Sequence, residues 1–365
     1  MNRFTGKLAV QQRVLPNYRA PFFDLLASAC DGGMSLFTGL PRKSEGITTT
    51  NQLQITNYQL GQNIHLFSGP LYLCYQRRLV GWLEHWNPEA LIVEANPRYL
   101  STPSAVQWMH QRSRPVIGWG LGSPRVRGFL NKARSAFFDQ FEALIAYSQR
   151  GADEYAALGF PADRIFVAPN SVSAPPAFAF PLRPATFNPK PSLLFVGRLQ
   201  ARKRLDSLLR ACAQLASQPK LLIVGDGPER KSLEKLAREI YPSAEFVGAK
   251  HGAELKRYFM EADLFVLPGT GGLAIQEAMS YGLPVIVAQG DGTQDDLVRK
   301  ENGWQIPPND FAALVSTMKE ALSDVARLRR MGEESYRIVK DEINIEKMVE
   351  TFVRVLNKVT GTPRN

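Results

Sequence analysis

The chain has 365 residues, 44% hydrophobic and 21% charged, with 28 Gly and 25 Pro spread along it, which excludes a disordered, collagen-like or low-complexity protein. That length exceeds what one hydrophobic core usually serves, so two domains of roughly 150–200 residues are expected. Lys and Arg number 44 against 34 Asp and Glu, and the excess lies in both halves (17 against 11 in residues 1–180, 27 against 23 afterwards), which predicts anionic partners.

From the amino terminus, the apolar stretch Leu8–Val10 stops at Gln11, Gln12 and Arg13, too short for a signal-peptide core. No apolar run approaches the roughly 18–20 residues that cross a bilayer. The three distant cysteines, Cys30, Cys74 and Cys212, suit neither a disulfide framework nor a zinc site. A cytoplasmic protein is the expectation.

Short apolar runs then recur, each followed by a turn and a helix-length amphipathic segment. In the first half the predicted strands are 7–10, 34–37, 64–67, 90–93, 115–118, 143–147 and 165–168. In the second they are 192–196, 220–224, 245–247, 263–267, 284–287 and 303–306. Runs of four to six Val, Ile, Leu and Phe alternating with helices predict parallel sheets covered on both faces. Between the two series, Ser171–Ser192 holds six prolines in 22 residues and reads as an interdomain linker. The expected architecture is α/β: two Rossmann-like, doubly wound domains (1–172 and 192–344) joined by a linker at 173–191 and facing across a cleft. A final helix, 345–365, is expected to pack back on the first domain. In such sheets ligands gather at the carboxyl ends of the strands.

Three segments at predicted strand ends carry chemistry. In LFVLPGTGGLAIQEAMSYGLPVI, residues 264–286, a strand runs into a turn holding Gly269, Gly271 and Gly272, and a helix starts near Leu273. Unpaired amides at a helix start, with the positive end of the dipole, suit a phosphate. Glu277, four residues on and about 6 Å along the same face, is placed for a ribose diol. A tight loop followed by a solvated helix acid is the alternative. In VGRLQARKRLD, residues 196–206, Gly197 ends a strand and Arg198, Arg202, Lys203 and Arg204 follow before any acid. Arg198 leaves the strand's carboxyl end, and Lys203 opens a helix, where the dipole disfavours a cation unless an anion is near. A solvated basic turn is the alternative. VGDGPER, residues 224–230, holds a fragment of a dinucleotide fingerprint and by itself most simply turns the chain.

Together with FVG at Phe246–Gly248, ADLFVLP at Ala262–Pro268 and NGW at Asn302–Trp304, these segments resemble the carboxy-terminal domain of family-four retaining glycosyltransferases of the GT-B fold. In order and spacing the motifs cover nearly all of residues 191–320, and Ser148–Val172 is similar to the end of that family's amino-terminal domain. The resemblance implies a transferase moving a hexosyl group from a nucleotide-sugar to a saccharide or lipid-linked acceptor in bacterial polysaccharide or glycolipid synthesis. It implies that Arg198 and Lys203 hold the donor diphosphate and stabilise its leaving charge, and that Gly197, Gly271, Gly272 and Leu273 bring backbone to it. Glu277 would bind the ribose, and the backbone at Val247 and Gly248 would flank the base. The family usually has an acid eight residues before Glu277, where this chain has Gly269.

The amino-terminal half departs further. Many relatives have a glycine pair after the first strand, whereas this chain has VQQRVLPNYRAPFFDLL, residues 10–26, with Arg13 and Arg19 as candidates for a phosphate or an anionic acceptor. Glu94, ending a strand, is the acid expected in the cleft, and Trp119 in GWGLGSPR is a candidate for stacking on a sugar. A salt bridge at a strand end and core packing are the respective alternatives. His65, His85, His110 and His251 show no metal spacing, and neither a metal nor another cofactor is expected. Residues 95–138 hold seven Lys or Arg and no acid. Within them 124–138, with Phe129, Leu130, Phe137 and Phe138, reads either as a basic amphipathic helix on an anionic membrane surface or as a core helix with a solvated basic face. No nucleic-acid reader motif is present. Two other functions share the pattern: a nucleotide-sugar 2-epimerase of the same fold, which needs acid/base carboxylates, and a non-catalytic glycan-binding module.

Overall fold

The computed structural model describes residues 2–50, 53–54, 57–124, 129–180, 183–187, 190–290 and 292–361. Two compact units divide the chain: Met1–Val172 together with Ile345–Asn365, and Ser173–Asn344.

The first unit runs β1 (Leu8–Val14), α1 (Ala20–Ser28), β2 (Met34–Gly39), β3 (Asn57–Leu60), β4 (Gln62–Leu66), β5 (Leu73–Arg77), α2 (Leu79–Trp86), β6 (Ala90–Glu94), α3 (Thr102–His110), β7 (Val116–Gly120), α4 (Phe129–Phe138), β8 (Ala143–Ala146), α5 (Gln149–Ala157) and β9 (Ile165–Val167). Seven strands form a parallel sheet in the order β3-β2-β1-β6-β7-β8-β9. Its central strands are buried on both faces, so side chains alternate between two cores. Val10, Ile92, Ile117 and Trp119 enter the one that includes Phe22. Ala9, Val93, Val116 and Leu144 enter the other.

The second unit runs β10 (Ser192–Val196), α6 (Leu205–Ala213), β11 (Lys220–Val224), α7 (Arg230–Ile240), β12 (Ala244–Gly248), α8 (Gly252–Glu261), β13 (Leu264–Leu267), α9 (Leu273–Ser280), β14 (Val285–Ala288), α10 (Thr293–Leu297), β15 (Gly303–Ile306), α11 (Phe311–Ser323) and α12 (Val325–Asp341). Its six strands are parallel in the order β12-β11-β10-β13-β14-β15. The last helix, α13 (Ile345–Gly361), returns to the first unit, where Met348, Phe352, Val353 and Leu356 complete the core around Phe22 and Trp119.

One sequence expectation needs correction. The apolar run at 64–67 is a strand but not one of the parallel sheet: β4 pairs antiparallel with β5 in a separate two-stranded hairpin. The sheet's edge is instead β3, whose sequence NYQL is mostly exposed and gives no apolar signal. The proline-rich linker lies against the second unit. Arg183 donates to the carbonyls of Ala262, Gly282 and Phe259 at 2.9–3.0 Å, and Phe178 stacks on Tyr281, so the described part of 173–191 packs on the second unit.

Strand order reverses once in each sheet, between β1 and β6 in the first and between β10 and β13 in the second. Neighbouring connections diverge there and leave an opening at the carboxyl ends. The charged segments of the sequence fall at these two places.

Candidate active site

In the second unit the basic turn after β10 and the glycine turn after β13 lie against one another. The Thr270 N–H donates to the Arg202 carbonyl at 3.1 Å, and an Arg202 guanidinium N–H reaches the Thr270 hydroxyl at 3.3 Å. A Cβ on Gly269 would sit 2.5 Å from the Lys203 backbone and overlap the Arg202 carbonyl. The glycine in place of the usual acid is therefore what lets the two turns touch. Gly271, at φ 131°, has the Lys203 ammonium where a side chain would be. Behind the basic turn, Gly225 and Gly227 press on Gly197 and Leu199, and the Leu199 N–H donates to the Asp226 carbonyl at 2.9 Å. The Gly-Asp-Gly element thus packs the basic turn in place.

Lys203 is half-buried and has no carboxylate within salt-bridge distance among the described residues. Burial, with the neighbouring Arg202 charge, brings its ammonium down from 10.5 to about 8. A buried, unpaired cation is costly and favours a bound anion. Helix α9 starts beside it at Leu273, its N-cap Gly272 offering no side chain to the helix amides. Arg198 is exposed two residues beyond β10. The structure thus brings Gly197, Arg198, Lys203, Gly271, Gly272 and Leu273 to the carboxyl ends of β10 and β13.

Glu277 lies one turn into α9, half-buried; burial raises its carboxyl pKa, opposed by the charge of His251 before α8. Val247 and Gly248 end β12, where Gly248 takes φ 78° and its carbonyl accepts from the Gly225 N–H at 2.9 Å. Sequence reasoning missed Gln294, almost fully buried, whose amide donates to the Gly271 carbonyl at 3.2 Å, and Thr293, which lines Gly272. The signal was the AQGDGTQ turn after β14, which places these groups at the next strand end.

In the first unit, Arg13, Glu94 and Arg19 meet near the β1/β6 reversal. The Glu94 carboxyl is raised by burial, against the pull of the Tyr99 hydroxyl, the Arg13 N–H and the charges of Arg13 and Arg19. Arg13 pairs with Glu45 at 3.0 Å. Arg19 is 7% exposed, its guanidinium 5.1 Å from the Trp119 ring and 5.4 Å from that of Tyr147. Trp119, 1% exposed, is a correction: it cannot stack on a sugar. The two-residue period of β7 turns it to the same face as Ile117, which α13 covers, and Phe352 meets its ring edge-on at 5.0 Å.

Of the basic segment 124–138, residues 125–128 and the side chains of Phe129 and Leu130 lie outside the described residues. Phe137 and Phe138 are core, packed edge-on against Phe141 and Tyr155. Two of the four apolar groups expected to face lipid are thus occupied within the protein. Among the described residues no helix is long and apolar enough to cross a membrane, and no group of three His, Cys, Asp or Glu could hold a metal.

Solved structures share this fold. HepE of Anabaena, solved in complex with UDP, superposes with a TM-score of 0.70 at 15% identity, covering 98% of this chain and 100% of that one. The lipopolysaccharide outer core galactosyltransferase WaaB gives 0.70 at 17% identity over 96% and 99%. The fold is GT-B. Within that GT-B chain, residues 183–338 match the family model of the glycosyl transferases group 1. The GDP-mannose-dependent alpha-mannosyltransferase of Corynebacterium glutamicum is 36% identical over 151 residues, 40% of this chain and 35% of that protein. The amylovoran biosynthesis glycosyltransferase AmsK of Erwinia amylovora is 30% identical over 195 residues, 50% of this chain and 47% of its own. The matches span less than half the length of these curated relatives.

Proposed function

We propose that the chain is a family-four retaining glycosyltransferase that moves a hexosyl group from a nucleotide-sugar to a saccharide or lipid-linked acceptor in bacterial polysaccharide or glycolipid synthesis. The observation that carries this reading is the half-buried Lys203 ammonium, without a carboxylate partner, against the glycine turn that opens α9. The names of the group 1 relatives and the UDP bound by HepE support it.

In this reading the donor diphosphate lies between Lys203 and Arg198 on one side and the backbone of Gly271, Gly272 and Leu273 on the other, with Gly197 leaving room at the strand end. Glu277 accepts hydrogen bonds from the ribose hydroxyls, and Val247 and Gly248 border the base. As the bond from the anomeric carbon to the phosphate oxygen breaks, negative charge grows on the leaving diphosphate, where preorganised cations and dipoles act most strongly. The acceptor oxygen bonds to the anomeric carbon on the same face and gives its proton to the departing phosphate oxygen. The two cations supply the charge that a metal would, so transfer without a metal is part of the proposal. Arg13, Arg19 and Glu94 belong to the acceptor side, with Arg19 acting from behind through Glu94 and the aromatic rings.

Calorimetry with UDP and GDP tests the donor site: Glu277→Ala and Arg198→Ala should each weaken binding while leaving the melting transition in place. Unchanged affinity in both variants removes the assignment. Product analysis with and without acceptor separates transfer from 2-epimerisation, and absence of any turnover with a bound nucleotide-sugar would leave a binding module.

A further inference from the structure

The hairpin β4–β5 stands apart from both sheets and turns an apolar face to solvent. Cross-strand pairing sets Ile64 opposite Tyr75 and Leu66 opposite Leu73. Ile64, Leu66 and Tyr75 are exposed, and the connecting segment adds Phe67 at 68% and Leu71 at 73% exposure. Of the eleven large hydrophobic residues that are exposed among those described, seven fall between Leu40 and Tyr75. Scattered exposed apolar residues need no explanation, but a contiguous cluster marks an interaction surface.

The protrusion is held in shape. The Arg42 guanidinium donates to the Phe67 carbonyl at 2.6 Å and lies 4.3 Å from the centre of the Tyr72 ring, while Tyr72 shares a hydrogen bond of 2.9 Å with His65. At the root, the Asn63 amide donates to the carbonyls of Arg13 and Leu40 at 2.8 and 2.9 Å. Apolar groups are thus presented on a braced hairpin.

Charge decides what covers them. Residues 46–83 contain no Asp or Glu, and Arg77 and Arg78 are exposed at the hairpin's root, where Arg77 pairs with Gln62. Beside them a cavity of about 600 Å³ has Phe37, Leu60 and Trp82 on its apolar side and Arg77, Arg78 and His85 on its basic side. An apolar tip above a basic root, with the neighbouring Glu45 already paired to Arg13, complements an anionic lipid surface, where acyl boundary and headgroup charge are met together.

We propose that the β4–β5 hairpin is a docking surface for an anionic phospholipid membrane: Phe67, Leu71 and Leu66 enter the acyl boundary, and Arg77 and Arg78 meet headgroup phosphates at the mouth of the cavity. This goes beyond the transfer reaction and does not depend on it.

The test is co-sedimentation of the full chain with vesicles of phosphatidylcholine alone and with 30% phosphatidylglycerol. Binding should be at least tenfold stronger to the anionic vesicles and weaken in 0.5 M NaCl. It should fall at least tenfold in Phe67→Ser/Leu71→Ser and in Arg77→Gln/Arg78→Asn, both at exposed positions. Fluorescence of Phe67→Trp should shift to the blue on anionic vesicles. No binding of the wild type to anionic vesicles overturns the proposal, as does binding that Phe67→Ser/Leu71→Ser leaves intact, which would locate the contact elsewhere, such as 124–138. A concentration-dependent dimer that this variant abolishes, with no vesicle binding, would assign the face to a second copy of the chain.

Discussion

Replacing Lys203 by Met keeps the apolar stem and removes the charge. The ammonium is brought from 10.5 to about 8, chiefly by burial. A tenfold change in proton affinity corresponds to about 1.4 kcal/mol, so retaining the charged form in the fold at neutral pH costs at most about 3.5 kcal/mol. Solvent reaching this half-buried group lowers the figure to about 1–2 kcal/mol. Lys203→Met should therefore stabilise the ligand-free protein at pH 7, raising the melting temperature of the second unit by about 3–6 °C. The sign of the pH dependence follows from the depressed value. Below about pH 8 lysine is charged in both the folded and unfolded states, and the full penalty applies. Between about 8 and 10.5 the folded state gives up its proton first, so wild-type stability rises towards that of the variant and the gap closes. Binding should move the other way. Losing one charged hydrogen bond to the diphosphate is worth about 1.5–3 kcal/mol, a loss of UDP affinity of about 10- to 150-fold. Thermal denaturation at pH 7 and pH 10, with calorimetry at pH 7, reads all three effects. A variant that melts at or below the wild-type temperature at pH 7, or that keeps its UDP affinity, refutes the argument.

Gly269→Ala places a Cβ 2.5 Å from the Lys203 backbone, so it should destabilise the second unit by about 1–3 kcal/mol in urea titration. Gly269→Glu, although it restores the family's acid, should be no more stable and should not raise the rate of transfer. Trp119→Ala should cost about 3–5 kcal/mol of first-unit stability, whereas a sugar-stacking residue would lower acceptor binding with little change in melting. EDTA should leave the initial rate of sugar transfer unchanged, and a loss restored by Mg²⁺ or Mn²⁺ would show that the two cations do not suffice.

The parallel strands were legible because burial on both faces requires short apolar runs, and such runs are visible without knowing the fold. The meeting of the turns after β10 and β13 was legible because glycine, arginine and lysine at strand ends have few structural reasons to cluster. Four features were hidden for different causes. The edge strand β3 is short, polar and largely exposed, so nothing in NYQL marks pairing with β2. The run at Ile64–Phe67 looked buried because it is apolar, while its hairpin exposes it. Trp119 ends a strand, which suggested an open position. Its burial depends on α13, whose Phe352 arrives more than two hundred residues later, and such a contact leaves no local trace. The meaning of Gly269 was likewise invisible: the missing acid could be read, but the backbone approach that replaces it needed the geometry of both turns.

The two strand-order reversals differ in how their charges are settled, and that difference bears on where an anion goes. In the first unit Arg13 pairs with Glu45, while Arg19 is buried between two aromatic rings with its Nη1 unpartnered and its charge acting on Glu94. An anion arriving there must compete with carboxylates already in place. In the second unit the charge that acts on Lys203 is that of Arg202, of the same sign, and the place of a neutralising acid is taken by the Gly269 backbone contact. Removal of the acid and close approach of the turns therefore work together, because a glutamate at 269 would push the turns apart and would quench the ammonium. A twice-charged diphosphate gains most where positive charge is buried and unanswered. In the proposed reading the diphosphate therefore goes to Lys203, and the cluster of the first unit, where Glu45 and Glu94 answer part of the positive charge, takes the hydroxyl groups of an acceptor.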